Sequence, residues 1–301
     1  MTASAPTPAG AARGRRGGDA PVEAARGSAR CRPIRPLLLA ALGLLPWGCL
    51  STTSTVALTL APAEWRLAVS RRGVQGDAVP NPMEATEAMR EAAREWAGIG
   101  GPEEKLARIQ GALNDPAGFH FRYDLEAALT APEAFSARRG NCVSYVSLFI
   151  ALARSVDVPL SAALLLRPTK SERRGEFVLV LSHLVAVYLH GRAPVVYDLG
   201  LSRRMPAAIL RPFDDLAVAG LLASNQGVAR LLCHDLASAR TMLEVAARMV
   251  PDFAPVYGNL GLARQREGDV EGAIEAYHRG LEVDPGATEL RRSLALLGCD
   301  R

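Results

Sequence analysis

Residues 139–154, RGNCVSYVSLFIALAR, place a cysteine before a long apolar run, and the fold prediction starts from this segment. The run is apolar on almost every face of a helix, which predicts a helix buried at the centre of a domain. Asn141 is a typical N-cap residue, and Gly140 allows a tight turn before it. Cys142 would then stand in the first helical turn, where unpaired N–H groups and the helix dipole stabilise a thiolate. The pattern therefore predicts a nucleophilic cysteine.

Short helices are predicted before this segment, over residues 82–96 and 102–113, and strands after it. The predicted strands are rich in Val, Leu and Tyr and cover residues 161–166, 177–189 and 195–199. Helices followed by an antiparallel sheet predict an α+β domain, to which we assign residues 81–215.

A histidine and an aspartate on the last two strands complete a candidate catalytic group. A tight turn at residues 190–193 would place His183 opposite Gly200. Asp198 then projects from the same face of the ribbon, about 7 to 8 Å from the histidine. This separation is within reach of an imidazole and a carboxylate.

These three residues have defined roles in acyl transfer. Cys142 would attack a carbonyl carbon, His183 would take the thiol proton and later protonate the leaving group, and Asp198 would hold the imidazole tautomer. The backbone N–H of Cys142 is the natural donor to the oxyanion. No metal or organic cofactor is needed for this chemistry.

The five cysteines, at positions 31, 49, 142, 233 and 299, have no metal-type spacing. We expect Cys142 to be free, and Cys233 and Cys299 to be small buried apolar residues rather than a disulfide.

The N-terminal 49 residues are typical of a disordered tail followed by an export signal. Two arginines precede the apolar run at residues 37–45, and Gly48-Cys49 resembles the end of a bacterial lipoprotein signal. This pattern predicts an exported protein of the cell envelope, attached to the membrane through a lipidated Cys49. A cytoplasmic protein with a misassigned start is the alternative. Residues 50–80 are predicted to be a linker.

The charge is concentrated in the same tail. The chain has a net charge of +4, but residues 1–48 carry seven arginines against Asp19 and Glu23, which leaves 28 basic and 29 acidic side chains elsewhere. Because the remainder is neutral, we expect no nucleic-acid partner.

The C-terminal third repeats with a period of 34 residues. Asn225, Gly227 and Asp235 recur as Asn259, Gly261 and Asp269. A 34-residue period of paired helices is the signature of tetratricopeptide repeats, and the second copy resembles that consensus except at Arg264 and Gly280. Residues 219–301 are therefore predicted to form two repeats and a capping helix, with the first repeat docked on the preceding domain because a repeat buries its apolar face only against a neighbour.

The residues quoted above resemble the transglutaminase-like superfamily, thiol enzymes with a papain-like arrangement. The resemblance covers residues 117–200 and includes Tyr123, at an aromatic position common in the family. It implies Cys142, His183 and Asp198 as the catalytic triad. Leu184 departs from the pattern, since many members carry an aromatic residue after the histidine. Bacterial members followed by tetratricopeptide repeats are a known combination.

Two functions are consistent with this organisation. The first is a cysteine peptidase or acyltransferase that acts on an amide of a protein or peptide, with the repeats binding a protein partner. The second is an adaptor or scaffold in the cell envelope with an inactive core, in which the repeats alone bind the partner through a helical groove. A depressed pKa of Cys142 would favour the enzyme.

Overall fold

The computed structural model describes most of the chain beyond the N-terminal tail, namely residues 59–166, 170–174, 177–181, 183–189 and 193–298. The predicted export signal over 1–49, with Cys31 and Cys49, lies outside these residues, as do Cys299 and most of the predicted turn at 190–193. Within the described part, no helix has the length and apolar character needed to cross a bilayer.

Helices account for most of the described chain. They are α1 (Pro62–Arg71), α2 (Glu87–Ala97), α3 (Pro102–Asn114), α4 (Ala131–Ala137), α5 (Cys142–Arg154), α6 (Asp215–Leu232), α7 (Leu236–Met249), α8 (Ala254–Glu267), α9 (Val270–Val283) and α10 (Thr288–Leu296). Short 3₁₀ turns cover Gly76–Ala78 and Ala207–Ile209.

The strands form one five-stranded sheet and two small pairs. They are β1 (Arg122–Tyr123), β2 (Arg139–Gly140), β3 (Ser161–Leu165), β4 (Lys170–Arg174), β5 (Phe177–Leu181), β6 (Leu184–Tyr188), β7 (Val195–Asp198), β8 (Leu201–Arg204) and β9 (Leu210–Phe213). The main sheet is antiparallel, in the order β8-β7-β6-β3-β9. β1 pairs with β2 in parallel, and β4 pairs with β5 as a hairpin.

The predicted central helix is confirmed. Every residue of α5 from Val143 to Ala153 is buried. Helices α2, α3 and α4 pack against α5, and strand β6 of the sheet packs against it as well. An apolar helix covered in this way buries side chains around its whole circumference, which explains why its sequence lacks a polar face.

The predicted strands are correct in position but incomplete. The single strand expected over residues 177–189 is divided into β5 and β6, which belong to different sheets. β6 is not half-buried: Leu184, Ala186 and Tyr188 join the core around α5, whereas Val185 and Val187 join a second cluster with Met205 on the other side. The sequence does not predict β8 and β9, because β8 is exposed along its whole length and β9 is interrupted by Arg211 and Pro212, so neither shows apolar alternation.

The expected linker over residues 50–80 contains α1 and is therefore wrong for its described part. Trp65 and Val69 of α1 are buried with Met249 of α7. The Trp65 indole Nε1–H donates to the carbonyl of Val79 at 2.7 Å, and the Arg72 guanidinium donates to the carbonyl of Met249 at 3.1 Å. Helix α1 is thus part of the folded core.

The C-terminal region is entirely helical, and its first helix begins at Asp215, before the predicted start of the repeats at residue 219. The two helix pairs α6–α7 and α8–α9 repeat the same contacts at the predicted interval. A Cβ at Gly227 would lie 2.7 Å from Leu243, and one at Gly261 would clash with the ring of the equivalent Tyr277. Small residues therefore set the close approach of the helices in both pairs.

The first helix pair docks on the core, as expected. Val218 and Leu221 of α6 belong to the same buried cluster as α5. The Arg154 guanidinium at the end of α5 makes a bidentate contact with Asp215 at the start of α6, at 2.7 and 3.0 Å, with only 7% and 18% of the two side chains exposed. The helical region and the core therefore share one interior.

Candidate active site

The start of α5 is fixed by its N-cap and by a glycine. The Asn141 side-chain Oδ1 accepts the Ser144 N–H at 3.1 Å, which satisfies one of the free donors of the first turn. A Cβ at Gly140 would clash with the Cβ of Ser144 and lie 2.9 Å from its Oγ. The position before the N-cap therefore requires glycine because the chain passes directly over the first turn of the helix.

The loop that precedes α4 also holds the start of α5. The carbonyl of Ala127 accepts the Asn141 N–H at 2.9 Å and the Ser144 hydroxyl at 3.0 Å. The Ser144 Oγ in turn accepts the Leu129 N–H at 2.7 Å. These contacts fix the backbone on both sides of Cys142.

His183 and Asp198 are brought together as predicted. Strands β6 and β7 pair in the register that places His183 opposite Gly200, with Ala186 opposite Tyr197. The imidazole Nε2 lies 2.7 Å from Oδ2 of Asp198. Because a carboxylate oxygen only accepts, Nε2 carries the proton and Nδ1 of the neutral ring keeps its lone pair. The His183 side chain is 40% exposed, so that second nitrogen can be reached by other groups.

The thiol of Cys142 lies against the strand that follows His183. The backbone N–H groups of Leu184 and Val143 face the sulfur and lower its pKa, but burial raises the pKa more, and the nearby Asp198 charge raises it as well. The net direction is upward. Burial thus outweighs the helix start, contrary to the expectation of a resting thiolate.

The structure places all three predicted residues at one end of α5, but only two are hydrogen-bonded to each other. Among the residues that the structure describes, the Cys142 sulfur makes no hydrogen bond to the His183 ring. The backbone N–H of Cys142 lies in the first helical turn, where no intrahelical acceptor exists, so it can serve an oxyanion.

Three polar side chains behind Asp198 were missed by the sequence analysis. Gln110 of α3 donates through Nε2 to the carbonyls of Leu201 and Asp198, at 3.0 and 3.3 Å. Asn114 donates to the Tyr145 hydroxyl at 3.0 Å. A signal was available, since Gln110 interrupts the buried apolar stripe of its helix. An unexplained polar residue in such a stripe indicates a buried acceptor.

Cys233 lies outside this group of residues. Cys233 is exposed at the end of α6, so its expected burial is wrong. Cys233 is the C-cap residue of α6, after its last helical turn. No cluster of three metal-ligating side chains occurs within the described ranges.

Comparison with known families agrees with this geometry. Residues 90–192 match the transglutaminase-like superfamily. The matched segment contains Cys142 and His183 and stops before Asp198. The matched segment has its cysteine on a buried helix and its histidine beside the central strand of an antiparallel sheet.

A second similarity concerns a curated protein. The Hsp70-Hsp90 organizing protein of Triticum aestivum is 35% identical over 75 residues, which cover 25% of this chain and 13% of that protein. The chain therefore spans only a small part of this relative.

Proposed function

We propose that the protein catalyses cysteine-dependent acyl transfer or amide hydrolysis on a protein or peptide substrate. The observation that carries this proposal is the 2.7 Å contact between His183 Nε2 and Asp198 Oδ2, beside a cysteine at a helix start. Such a pair orients an imidazole for proton transfer, whereas an ordinary strand histidine does not require a carboxylate partner.

The roles follow from the geometry. Asp198 accepts the Nε2 proton of His183 as a hydrogen bond, so Nδ1 is the nitrogen that takes the thiol proton. The Cys142 sulfur then attacks the amide carbon, and the N–H of Cys142 donates to the developing oxyanion. His183 returns the proton to the leaving amine, which leaves a thioester that water or a second amine resolves.

Because the pKa of Cys142 is raised, the thiol loses its proton during the reaction and not before it. Cys142 is partly buried, and its thiol, with a raised pKa, is neutral at pH 7, so the base must remove the proton as the substrate is attacked. Activity therefore depends on His183 more strongly than it would for a preformed thiolate.

The C-terminal helices are proposed to form two tetratricopeptide repeats that bind a protein partner through their groove. The 34-residue recurrence of glycines at helix contacts supports this, as does the partial similarity to a chaperone-organizing protein. We also propose export to the cell envelope with lipidation of Cys49. Mass spectrometry of the mature N-terminus tests the export proposal, and an unmodified Cys49 within an intact tail contradicts it.

The catalytic proposal is tested by alkylation with iodoacetamide at pH 7, measured on the Cys142 peptide by mass spectrometry. His183→Ala should slow the alkylation of Cys142 by a factor on the order of 10² because the base is lost. Asp198→Asn should slow it less, because it removes the partner that orients the imidazole but also a charge that raises the Cys142 pKa. Cys142→Ala should abolish turnover of amide substrates while the fold is retained. Cys233→Ser, which removes an exposed thiol far from α5 in sequence, is the matched control and should keep full turnover.

An adaptor with an inactive core is the second candidate, and one observation favours it. The Cys142 pKa is raised, and its sulfur makes no hydrogen bond to His183 within the described part of the chain. For an adaptor, His183→Ala leaves Cys142 alkylation unchanged, and no variant of the three residues alters partner binding. That outcome contradicts the enzymatic proposal.

A further inference from the structure

Asp198 lies at one end of the short turn that joins β7 to β8. Asp198 is the last residue of β7, and Leu199-Gly200 connects it to Leu201, with which it pairs at the start of β8. Gly200 has φ +87, a conformation that side chains other than glycine rarely adopt. β8 is an edge strand, so neighbouring strands do not hold this turn from both sides.

The Gln110 side chain hydrogen-bonds to both ends of this turn. Its amide Nε2 has two hydrogens, and it donates to carbonyls at both ends of the turn, those of Asp198 and Leu201. The side chain is buried, with 6% of its surface exposed, so water does not compete for these bonds. A buried amide with two acceptors on one turn restrains the backbone there more than a surface contact does.

Two further side chains hold Gln110 and the turn. Asn114, one helical turn later on α3, donates to the carbonyl of Gln110 at 2.7 Å and to the Tyr145 hydroxyl at 3.0 Å. Tyr145 belongs to the catalytic helix α5, and its phenol lies close to the Gln110 side chain and the Gly200 backbone. Burial raises the pKa of Tyr145, as does the Asp198 charge, so the phenol stays neutral.

We propose that Gln110 is a positioning residue: its amide fixes the backbone of Asp198 so that the carboxylate stays in line with Nε2 of His183. The inference rests on the proposed function, since it assigns a task only if His183 acts as the base. The carbonyl and the carboxylate of Asp198 belong to one residue, so fixing the first limits the directions that the second can take. Displacements of about 1 Å at a catalytic group cost on the order of 10²-fold in rate.

The test compares Gln110→Met with Arg108→Met. Methionine keeps the length of glutamine but cannot donate. Arg108 is the matched control because it lies on the same helix and donates to two carbonyls of a different turn, those of Ala97 and Ile99, at 2.6 and 2.9 Å. The readout is the pH profile of iodoacetamide alkylation at Cys142, with thermal melting as the measure of folding.

Gln110→Met should slow alkylation at pH 7 by about 10- to 100-fold, and its pH profile should move to that of Asp198→Asn. Arg108→Met should lower the melting temperature and leave the profile unchanged. If Gln110→Met keeps the wild-type profile while Asp198→Asn does not, the inference is wrong and the proposed function stands. If His183→Ala and Asp198→Asn also keep the wild-type profile, both are wrong.

Gly200→Ala is the second test variant, to be used if Gln110→Met does not fold. A Cβ at Gly200 would lie 3.6 Å from Cγ of Asn114, an ordinary contact, so the substitution strains the turn without removing a buried amide. It should move the alkylation profile in the same direction by a smaller factor. A wild-type profile in this variant would overturn the positioning role of the turn.

Discussion

The α+β core and the C-terminal helices both begin helices with a side-chain N-cap, but the contacts around those caps differ. Asn141 caps α5, and Asp235 and Asp269 cap α7 and α9, each by accepting the N–H of the residue three positions later. The two aspartates are 34 residues apart, and the contacts around them repeat with that interval. The helix contacts in each repeat join residues 16 positions apart, such as Gly227 and Leu243. The candidate site joins residues much farther apart, since Gln110 donates to the carbonyl of Asp198, 88 positions away. The repeats therefore depend on nearer parts of the chain than the candidate site does.

The largest expected effect comes from the ion pair that joins the two regions. Arg154→Met should cost about 3 to 5 kcal/mol of unfolding free energy, because it leaves the Asp215 carboxylate buried without its partner. Chemical denaturation measures this loss. If both regions share one interior, they should still unfold in a single transition.

Arg204→Met is the control for this ion pair. Arg204 contacts Glu103 at 2.8 Å, with 54% and 41% of the side chains exposed, and its loss should cost less than about 1 kcal/mol. Equal losses in the two variants would show that burial does not distinguish the pairs.

Two glycine substitutions, one in each region, distinguish a loss of stability from a loss of Cys142 reactivity. Gly140→Ala and Gly261→Ala each introduce a methyl group into occupied space, against Ser144 and Tyr277, and each should cost about 1 to 3 kcal/mol. Gly140→Ala should also reduce Cys142 reactivity because it displaces the start of α5, whereas Gly261→Ala should not. Calorimetry and Cys142 alkylation measure the two effects. A loss of reactivity in Gly261→Ala would mean that the regions do not differ in this way.

The smallest expected effect is the pH dependence that Cys142 contributes to stability. Because the folded-state pKa is raised, the folded protein holds the thiol proton more tightly than the unfolded chain does. Cys142 therefore lowers stability as the pH rises above the unfolded thiol pKa of about 8.5, by up to about 1.4 kcal/mol per pH unit. Denaturation of wild type and Cys142→Ala between pH 7 and 10 should diverge with this sign. Val143→Ala, a buried neighbour that does not titrate, should lower stability equally at each pH, and parallel curves for Cys142→Ala would contradict the prediction.

The sequence-based predictions are accurate where the interactions join residues that are close in the chain, and they fail where the partners are far apart. The buried helix after Cys142 could be predicted from its composition and N-cap, and the pairing of His183 with Gly200 from a short turn between two apolar strands. Both depend on residues close in the chain. Strand β8 and the role of Gln110 could not be predicted in this way, because an exposed strand carries no apolar alternation and the acceptors of Gln110 lie about 90 positions away.

Local sequence alone accounts for the buried helix, the 34-residue interval of the C-terminal helices, and the register that joins His183 to Asp198. Each of these arises from local periodicity or from a tight turn, whose signals lie within a few residues. Only the tertiary structure decided that α1 packs against α7, that the Cys142 pKa is raised and that Gln110 restrains the Asp198 turn. Burial and hydrogen bonding between distant segments depend on which surfaces meet, and that is set when the whole chain packs.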